Sequence, residues 1–487
     1  MPRSLLRPSQ ATISILGSRR GWRAKVVLCA VALVSALSSA ANAAVAVSVV
    51  SSRPDMVSGG DALIAIHGVS GKDWTARLNG IDVTASFRPD GASRRLLGLV
   101  TGLKSGRNVL QVSVHGMPQS TFEMINHPRV GPLFSGPHQK PLICETITNG
   151  LGAPQDADCS AGTLVQYFYK STQPVSSVAE VIKAKVDATL DPTPGGLPPG
   201  FKPYDPSRPP PGDVVRTVLS DGRTVNYIVR REVGTINRAV YEIEFLHEPG
   251  QPLPTPWTGF SAAWNGRLVY GFKGWGCGRY GQGKLGSAAT ADYEPLLAKG
   301  YAYATSTFNA TRYNCNDLLS AETLSMVKES FSERFGAPLH TIGVGGSGGS
   351  MQLYLIAQNF PGLLDGIVPY ISLPDMVSYE VSMSDCALLE HATDSAKLPW
   401  TEAEKSAVSG YATWHLCETG AQLALLDTSK CGPWVPADRI YDRRSNPGGL
   451  KCGYFTGRAR RPIDNVGVQY GLLAFNEGQI DAEHFIE

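Results

Sequence analysis

Apolar positions alternate along the first half of the chain and take on helical spacing in the second. In NVLQVSVHG (108–116), Leu110, Val112 and Val114 fall on one face of a strand, because successive strand side chains point to opposite sides. DALIAIHGV (61–69) and RRLLGLVTGL (94–103) are short apolar runs of the same kind, and KSGRN (104–108) reads as a tight hairpin. These runs predict a small all-β module over 44–128 with no catalytic grouping in it.

From about 129 the pattern changes. LDPTPGGLPPGFKPYDPSRPPPG (190–212) is a Pro/Gly loop, and 224–246 predicts antiparallel strands in which Tyr241, Ile243 and Phe245 alternate. Strands and helices then take turns: a strand at 266–272, a short helix at 293–300, a strand at 301–307. A helix over 321–335 follows, with Ser320 as its N-cap and Gly336 as its stop. Leu324, Val327, Phe331 and Phe335 recur in it at helical spacing. A strand at 341–344, a helix at 350–359 and a strand at 366–371 complete the series. Alternating β and α elements predict a parallel sheet covered on both faces, so the fold class is α/β.

The chemistry concentrates in Gly345-Gly346-Ser347-Gly348-Gly349, which fits G-x-S-x-G between a strand and a helix. A serine turning that sharply takes a strained backbone conformation, and glycine neighbours let adjoining elements come close. The start of the helix supplies free N–H groups and a partial positive charge. Ser347 is therefore the expected nucleophile, and the N–H of Gly348 the expected first oxyanion donor. The bland alternative is a flexible or anion-binding turn. Gly343 to Gly348 also spells the dinucleotide fingerprint G-x-G-x-x-G, with Asp365 near the required distance. That reading fails on context, since strands precede the motif and Asp365 lies before the next strand.

Composition places this chemistry outside the cytoplasm. The 487 residues carry 44 Lys and Arg against 42 Asp and Glu, a net +2. Arg3, Arg7, Arg19, Arg20, Arg23 and Lys25 sit in the first 43 residues, which hold no acid. Without those six, 38 basic face 42 acidic residues, a balance of −4. No basic patch argues for nucleic acid. The basic start, the apolar run Val26 to Leu37 and Ala41-Asn42-Ala43 form a secretory signal over 1–43, with Ser18-Arg19-Arg20 a faint twin-arginine signature. The run is too short to span a bilayer, so a membrane anchor is the weaker alternative and the mature chain is expected to be secreted or periplasmic without a membrane span. Beyond Cys29, the remaining eight of nine cysteines are an even number, as disulfides require, with Cys144–Cys159 a local pair. No CxxC pair exists, and neither a metal nor a cofactor is called for.

Three stretches carry a family resemblance. GGSGGSMQLYLIAQNFPGLLDGIVPYIS (345–372), WNGRLVYGFKGWG (264–276) and LLAKGYAYATST (296–307) are similar to the elbow, the preceding strand with its Gly-rich loop, and the following strand of the tannase and feruloyl esterase family. The mature chain resembles still more a set of exported bacterial α/β-hydrolases without assigned function. The resemblance implies an α/β-hydrolase domain over 129–487, with a Cys-rich cap inserted at about 376–460, acting on carboxylic esters. It assigns the second oxyanion donor to the loop after the 266–272 strand, at Gly274 or Trp275; the bland reading of the same residues is a tight turn of glycines that Cys277 tethers, with Cys315 a candidate partner, and the two are compatible. The 44–128 module resembles an immunoglobulin-like sandwich. One departure stands out: the family's cysteine before the nucleophile, bridged to one beside the catalytic histidine, is here Gly346.

In this fold the order is Ser, acid, His. Asp375, just past the 366–371 strand, is the expected acid, with helix or loop capping as its alternative role. His391, His415 and His484 follow Ser347, the first two in the cap, and none has the setting of a base. The base histidine is accordingly expected beyond residue 487, with His391 and His415 the remaining choices if the chain stops there. The sequence thus reads as an exported serine hydrolase of phenolic or related esters. Hydroxyalkanoate oligomers are a rival substrate class, and a non-catalytic binding protein on a hydrolase scaffold is a second alternative. Trp275, Tyr280, Trp400 and Trp414 are either an aromatic substrate lining or packing residues.

Overall fold

The computed structural model describes residues 45–69, 71, 73–90, 95–173, 200–258, 263–274, 281–286, 293–375, 385–424 and 469–487. The expected leader, Trp275, Cys277, Tyr280, Cys431, Cys452 and the cap segments 376–384 and 425–460 lie outside these residues.

Nine strands form the N-terminal module. They are β1 (Ala46–Val49), β2 (Val57–Ser58), β3 (Asp61–His67), β4 (Trp74–Leu78) and β5 (Ile81–Asp82). After these come β6 (Phe87–Pro89), β7 (Arg95–Thr101), β8 (Gly106–Val114) and β9 (Ser120–His127). They pair as two sheets, β1-β3-β7-β6 and β2-β9-β8-β4-β5. Ile64, Ile66, Val100, Leu110 and Val112 fill one core. The segment 104–108 is not a hairpin, because β7 and β8 belong to different sheets. The Asn108 side chain closes this crossover, accepting from the Lys104 N–H at 2.9 Å and donating to the Lys104 carbonyl at 2.7 Å.

Ten strands follow. β10 (Leu164–Lys170), β11 (Phe201–Pro203), β14 (Ile228–Ile236) and β15 (Ala239–Leu246) pair antiparallel, neighbour to neighbour, in the order β11-β10-β14-β15, while β12 (Arg216–Val218) and β13 (Thr224–Asn226) make a separate ribbon. Beyond them lie β16 (Arg267–Lys273), β17 (Ala302–Ala310), β18 (His340–Ser347) and β19 (Gly366–Ser372). Helices α1 (Glu294–Ala298), α2 (Asp317–Phe335) and α3 (Gly348–Asn359) connect these last four. The main sheet runs β11-β10-β14-β15-β17-β16-β18-β19, and its last four strands are parallel.

Numbered from β14, this order is 1-2-4-3-5-6, which defines an α/β-hydrolase-like sheet. The chain leaves β16 toward β17 on one side and leaves β18 toward β19 on the other. The crevice beyond the carboxyl ends of β16 and β18 is therefore a topological switch point, where open α/β sheets bind ligands.

Tyr241, Ile243 and Phe245 pack with Leu324, Val327, Phe331 and Phe335 of α2. The alternate Glu242 and Glu244 are buried too, and the buried Arg231 pairs with both. Helix α2 begins one turn earlier than its apolar spacing implies. Asn316 caps it, accepting from the Leu319 N–H at 3.1 Å. Ser320 is free of that duty and faces Gln352 instead.

The opposite face of α2 meets the N-terminal module. Ser51 donates to Glu333 at 3.0 Å, and the Ser52 hydroxyl and Ser58 N–H reach Glu329 at 2.8 and 3.0 Å. Burial pushes both glutamates well above the usual carboxylate range, and it pushes nearby Asp61 up as well. Arg129 and Arg334 line the same small polar cavity.

The described part of the expected cap is helical: α4 (Cys386–Ser395), α5 (Glu402–Ser409) and α6 (Trp414–Ala424). A Cys386–Cys417 disulfide joins α4 to α6, and Cys144 is bridged to Cys159. Trp414 is buried against Leu389 and the Cys386–Cys417 pair, which is a packing role. No helix among the described residues is long and apolar enough to cross a membrane.

Candidate active site

Ser347 ends β18 and caps α3 with φ 54° and ψ −125°. A non-glycine residue in that region carries about 1–3 kcal/mol of strain and persists only where its surroundings over-determine it. The surroundings do so by close approach. A Cβ at position 345 would lie 3.0 Å from Gly349 backbone atoms, and one at 349 would lie 2.6 Å from the Phe272 carbonyl oxygen. At 348 it would meet the Thr311 hydroxyl at 2.3 Å. These glycines serve close contact between β16, β18, α3 and Thr311 just past β17.

Gly346 is equally constrained. A Cβ there would lie 2.4 Å from the Tyr370 ring. The aromatic side chain of β19 thus occupies the space beside position 346.

The end of β16 runs beside the elbow. Phe272 pairs with Gly345 across the parallel ladder. Gly274 then lies directly on the elbow: a Cβ on it would be 2.7 Å from the Gly348 nitrogen and 2.8 Å from the Ser347 Cβ. Ser347, Gly348 and Gly274 therefore converge at the switch point, beside the free N–H groups of the α3 N-terminus.

Two buried polar residues of α3 brace this junction; the family resemblance includes Gln352 as the glutamine after the elbow without giving it a role, and residue-type reasoning does not single out Ser350. Ser350 donates to the Ser347 carbonyl at 2.6 Å and accepts from the Leu373 N–H at 2.9 Å. Gln352 accepts from Ser320 at 2.6 Å. Its amide nitrogen donates toward the carbonyls of Lys273, Asn309 and Gly348 at 3.3, 3.3 and 3.2 Å. The available signal was a carboxamide between Met351 and Leu353 in an otherwise apolar helix stretch, where burial demands partners.

Asp375 lies three residues beyond β19, exposed, on the segment that Ser350 ties to the elbow through Leu373. None of the nine histidines, all within the described residues, hydrogen-bonds to Ser347. His391 on α4 is exposed and reaches Ser395. His415 on α6 is exposed and faces Glu418 at 3.3 Å. His484 sits 2.9 Å from Asp481 and contacts the Pro399 carbonyl and the edge of Trp400; hydrogen bonding to Asp481 raises its pKa. Cys315 is disulfide-bonded. No cluster of three or more metal-ligating side chains occurs among the described residues.

Strand order and elbow together define a protein of α/β-hydrolase-like fold. The chain belongs to the tannase-like family of unknown function, whose pattern matches residues 47–487. No curated protein matches it. Among solved structures it is similar to feruloyl esterase B from Aspergillus oryzae, at 16% identity over 40% of this chain and 39% of that one, with a TM-score of 0.24. It is also similar to tannin acyl hydrolase from Aspergillus niger, at 14% identity over 55% of this chain and 42% of that one, with a TM-score of 0.25. The chain spans about two-fifths of the length of each.

Proposed function

We propose that this protein is an exported serine esterase that cleaves carboxylic esters through an acyl-enzyme. The observation that carries the reading is the strained φ and ψ of Ser347, held at the switch point with Gly274 against it. Ser347 Oγ attacks the ester carbonyl as a base takes its proton. The carbonyl oxygen becomes an oxyanion between the N–H groups of Gly348 and Gly274, with Trp275 the other donor expected from the same loop. Collapse expels the alcohol, which receives the proton, and water releases the acid by the reverse sequence. Asp375 is the proposed acid of the triad. No metal or cofactor takes part in this scheme.

Export rests on the leader-like first 43 residues and on disulfides such as Cys144–Cys159 and Cys386–Cys417, which suit an oxidising compartment. The N-terminal module, read as an immunoglobulin-like sandwich over 44–128, is a packing partner of α2. Family membership favours phenolic esters as substrates.

A second reading, a binding protein on a hydrolase scaffold, draws on the lack of a histidine hydrogen bond to Ser347. Incubation with methyl gallate, methyl ferulate, p-nitrophenyl butyrate and a hydroxybutyrate trimer separates the readings. Release of gallate or ferulate that Ser347→Ala abolishes supports the proposal. Turnover of the trimer alone redirects the substrate class, and inertness toward all four supports the binding protein.

A further inference from the structure

Building on that esterase reading, we infer that Gln352 is a positioning residue that aims the second oxyanion donor. The Gly274 N–H belongs to the same peptide plane as the Lys273 carbonyl. In a trans peptide these two groups point in opposite directions. The Lys273 carbonyl is held from behind by two donors, the Thr311 N–H at 3.0 Å and the Gln352 amide at 3.3 Å. The Gly274 N–H is thereby turned away from those donors, on a residue packed against Ser347 Cβ and the Gly348 nitrogen.

Gln352 suits this task because its own orientation is fixed. The Ser320 hydroxyl donates to Oε1 at 2.6 Å, so the amide nitrogen must face the three carbonyls. Those carbonyls end β16, end β17 and open α3. One buried carboxamide therefore ties the Lys273–Gly274 peptide to the helix that carries the nucleophile. Gly274 has no side chain of its own to hold its peptide, and a displacement of about 1 Å in such a site costs on the order of 100-fold in rate.

The test uses the full chain with p-nitrophenyl butyrate as probe, comparing wild type, Gln352→Glu and Gln352→Met. Glutamate keeps the shape and the Ser320 bond but sets an acceptor against three carbonyls. Methionine removes the donors without adding charge. The expected result is a fall in kcat of about 10- to 100-fold for both with KM within about 2-fold of wild type. For Gln352→Glu, the ratio of variant to wild-type kcat should also rise as pH falls, because a protonated carboxyl regains one donor. A fall in thermal stability with kcat preserved would assign Gln352 a structural role only and overturn the inference. Where Gln352→Glu fails to fold, Gln352→Met decides by the same criterion. Where wild type is inert toward p-nitrophenyl butyrate, whichever of methyl gallate, methyl ferulate and the hydroxybutyrate trimer it hydrolyses serves as probe; inertness toward all four overturns the esterase reading and the positioning role together, whereas an active wild type with unimpaired variants overturns the positioning role alone.

Discussion

Gly349→Ala pits helix propensity against a backbone contact. Position 349 lies in the first turn of α3, where alanine is favoured over glycine by about 1 kcal/mol. The added Cβ would stand 2.6 Å from the Phe272 carbonyl oxygen and 2.9 Å from its carbon, both backbone atoms that no rotamer change can move. Reaching an ordinary 3.4 Å contact requires α3 and the end of β16 to part by about 0.8 Å. Overpacking of this kind costs about 1–3 kcal/mol, so the net expectation is destabilisation of about 0–2 kcal/mol. The same displacement carries Gly274 away from Ser347, and the rate should fall about 10- to 100-fold. Urea unfolding measures the first effect, and kcat/KM on p-nitrophenyl butyrate the second. A variant as stable as wild type, or more so, with an unchanged rate would refute the close-approach account of the elbow glycines.

The Glu329 and Glu333 interface makes stability depend on pH. Both carboxyls have raised folded pKa values, so between the ordinary glutamate range and those raised values the native state holds protons that the unfolded chain releases. This contribution is fully present below about pH 4.5 and is lost as pH rises, at ~1.4 kcal/mol per unit of upward shift. Urea unfolding at pH 5 and pH 8 should show wild type weaker at pH 8 and Glu329→Gln/Glu333→Gln markedly less sensitive; equal slopes would contradict the assignment. At the other end of α2, the buried Glu322 accepts from the N–H groups of Leu133, Phe134 and Ser135 at 2.7 to 2.8 Å. Glu322→Leu orphans all three and should cost roughly 3 kcal/mol or more, with Glu322→Gln milder in the same unfolding assay.

The elements around Ser347 were legible because local signals agree there: glycines, a serine and apolar runs all specify strand, turn, helix, strand. Features set by distant partners were not. A hairpin and a crossover between sheets use the same turn residues, so 104–108 could not declare which it was. The apolar stripe of α2 announced the face toward β15, yet the face bearing Glu329 and Glu333 is buried as well, by a module more than 200 residues earlier in the chain. Ser320 looks like a cap in isolation, and only the fold brings Gln352 to it. Glycine at 346 becomes intelligible once the Tyr370 ring is found beside that position. The base for Ser347 was not assigned from sequence, and the described residues bring no histidine into hydrogen bonding with it.

The central claim is that Ser347 is an activated nucleophile. The most direct measurement is treatment of the native protein with a fluorophosphonate, followed by peptide mass spectrometry. The account predicts an adduct on Ser347 in wild type, lost on prior denaturation and absent from Ser347→Ala. An unlabelled Ser347 in folded protein, or an adduct on another serine, would contradict it.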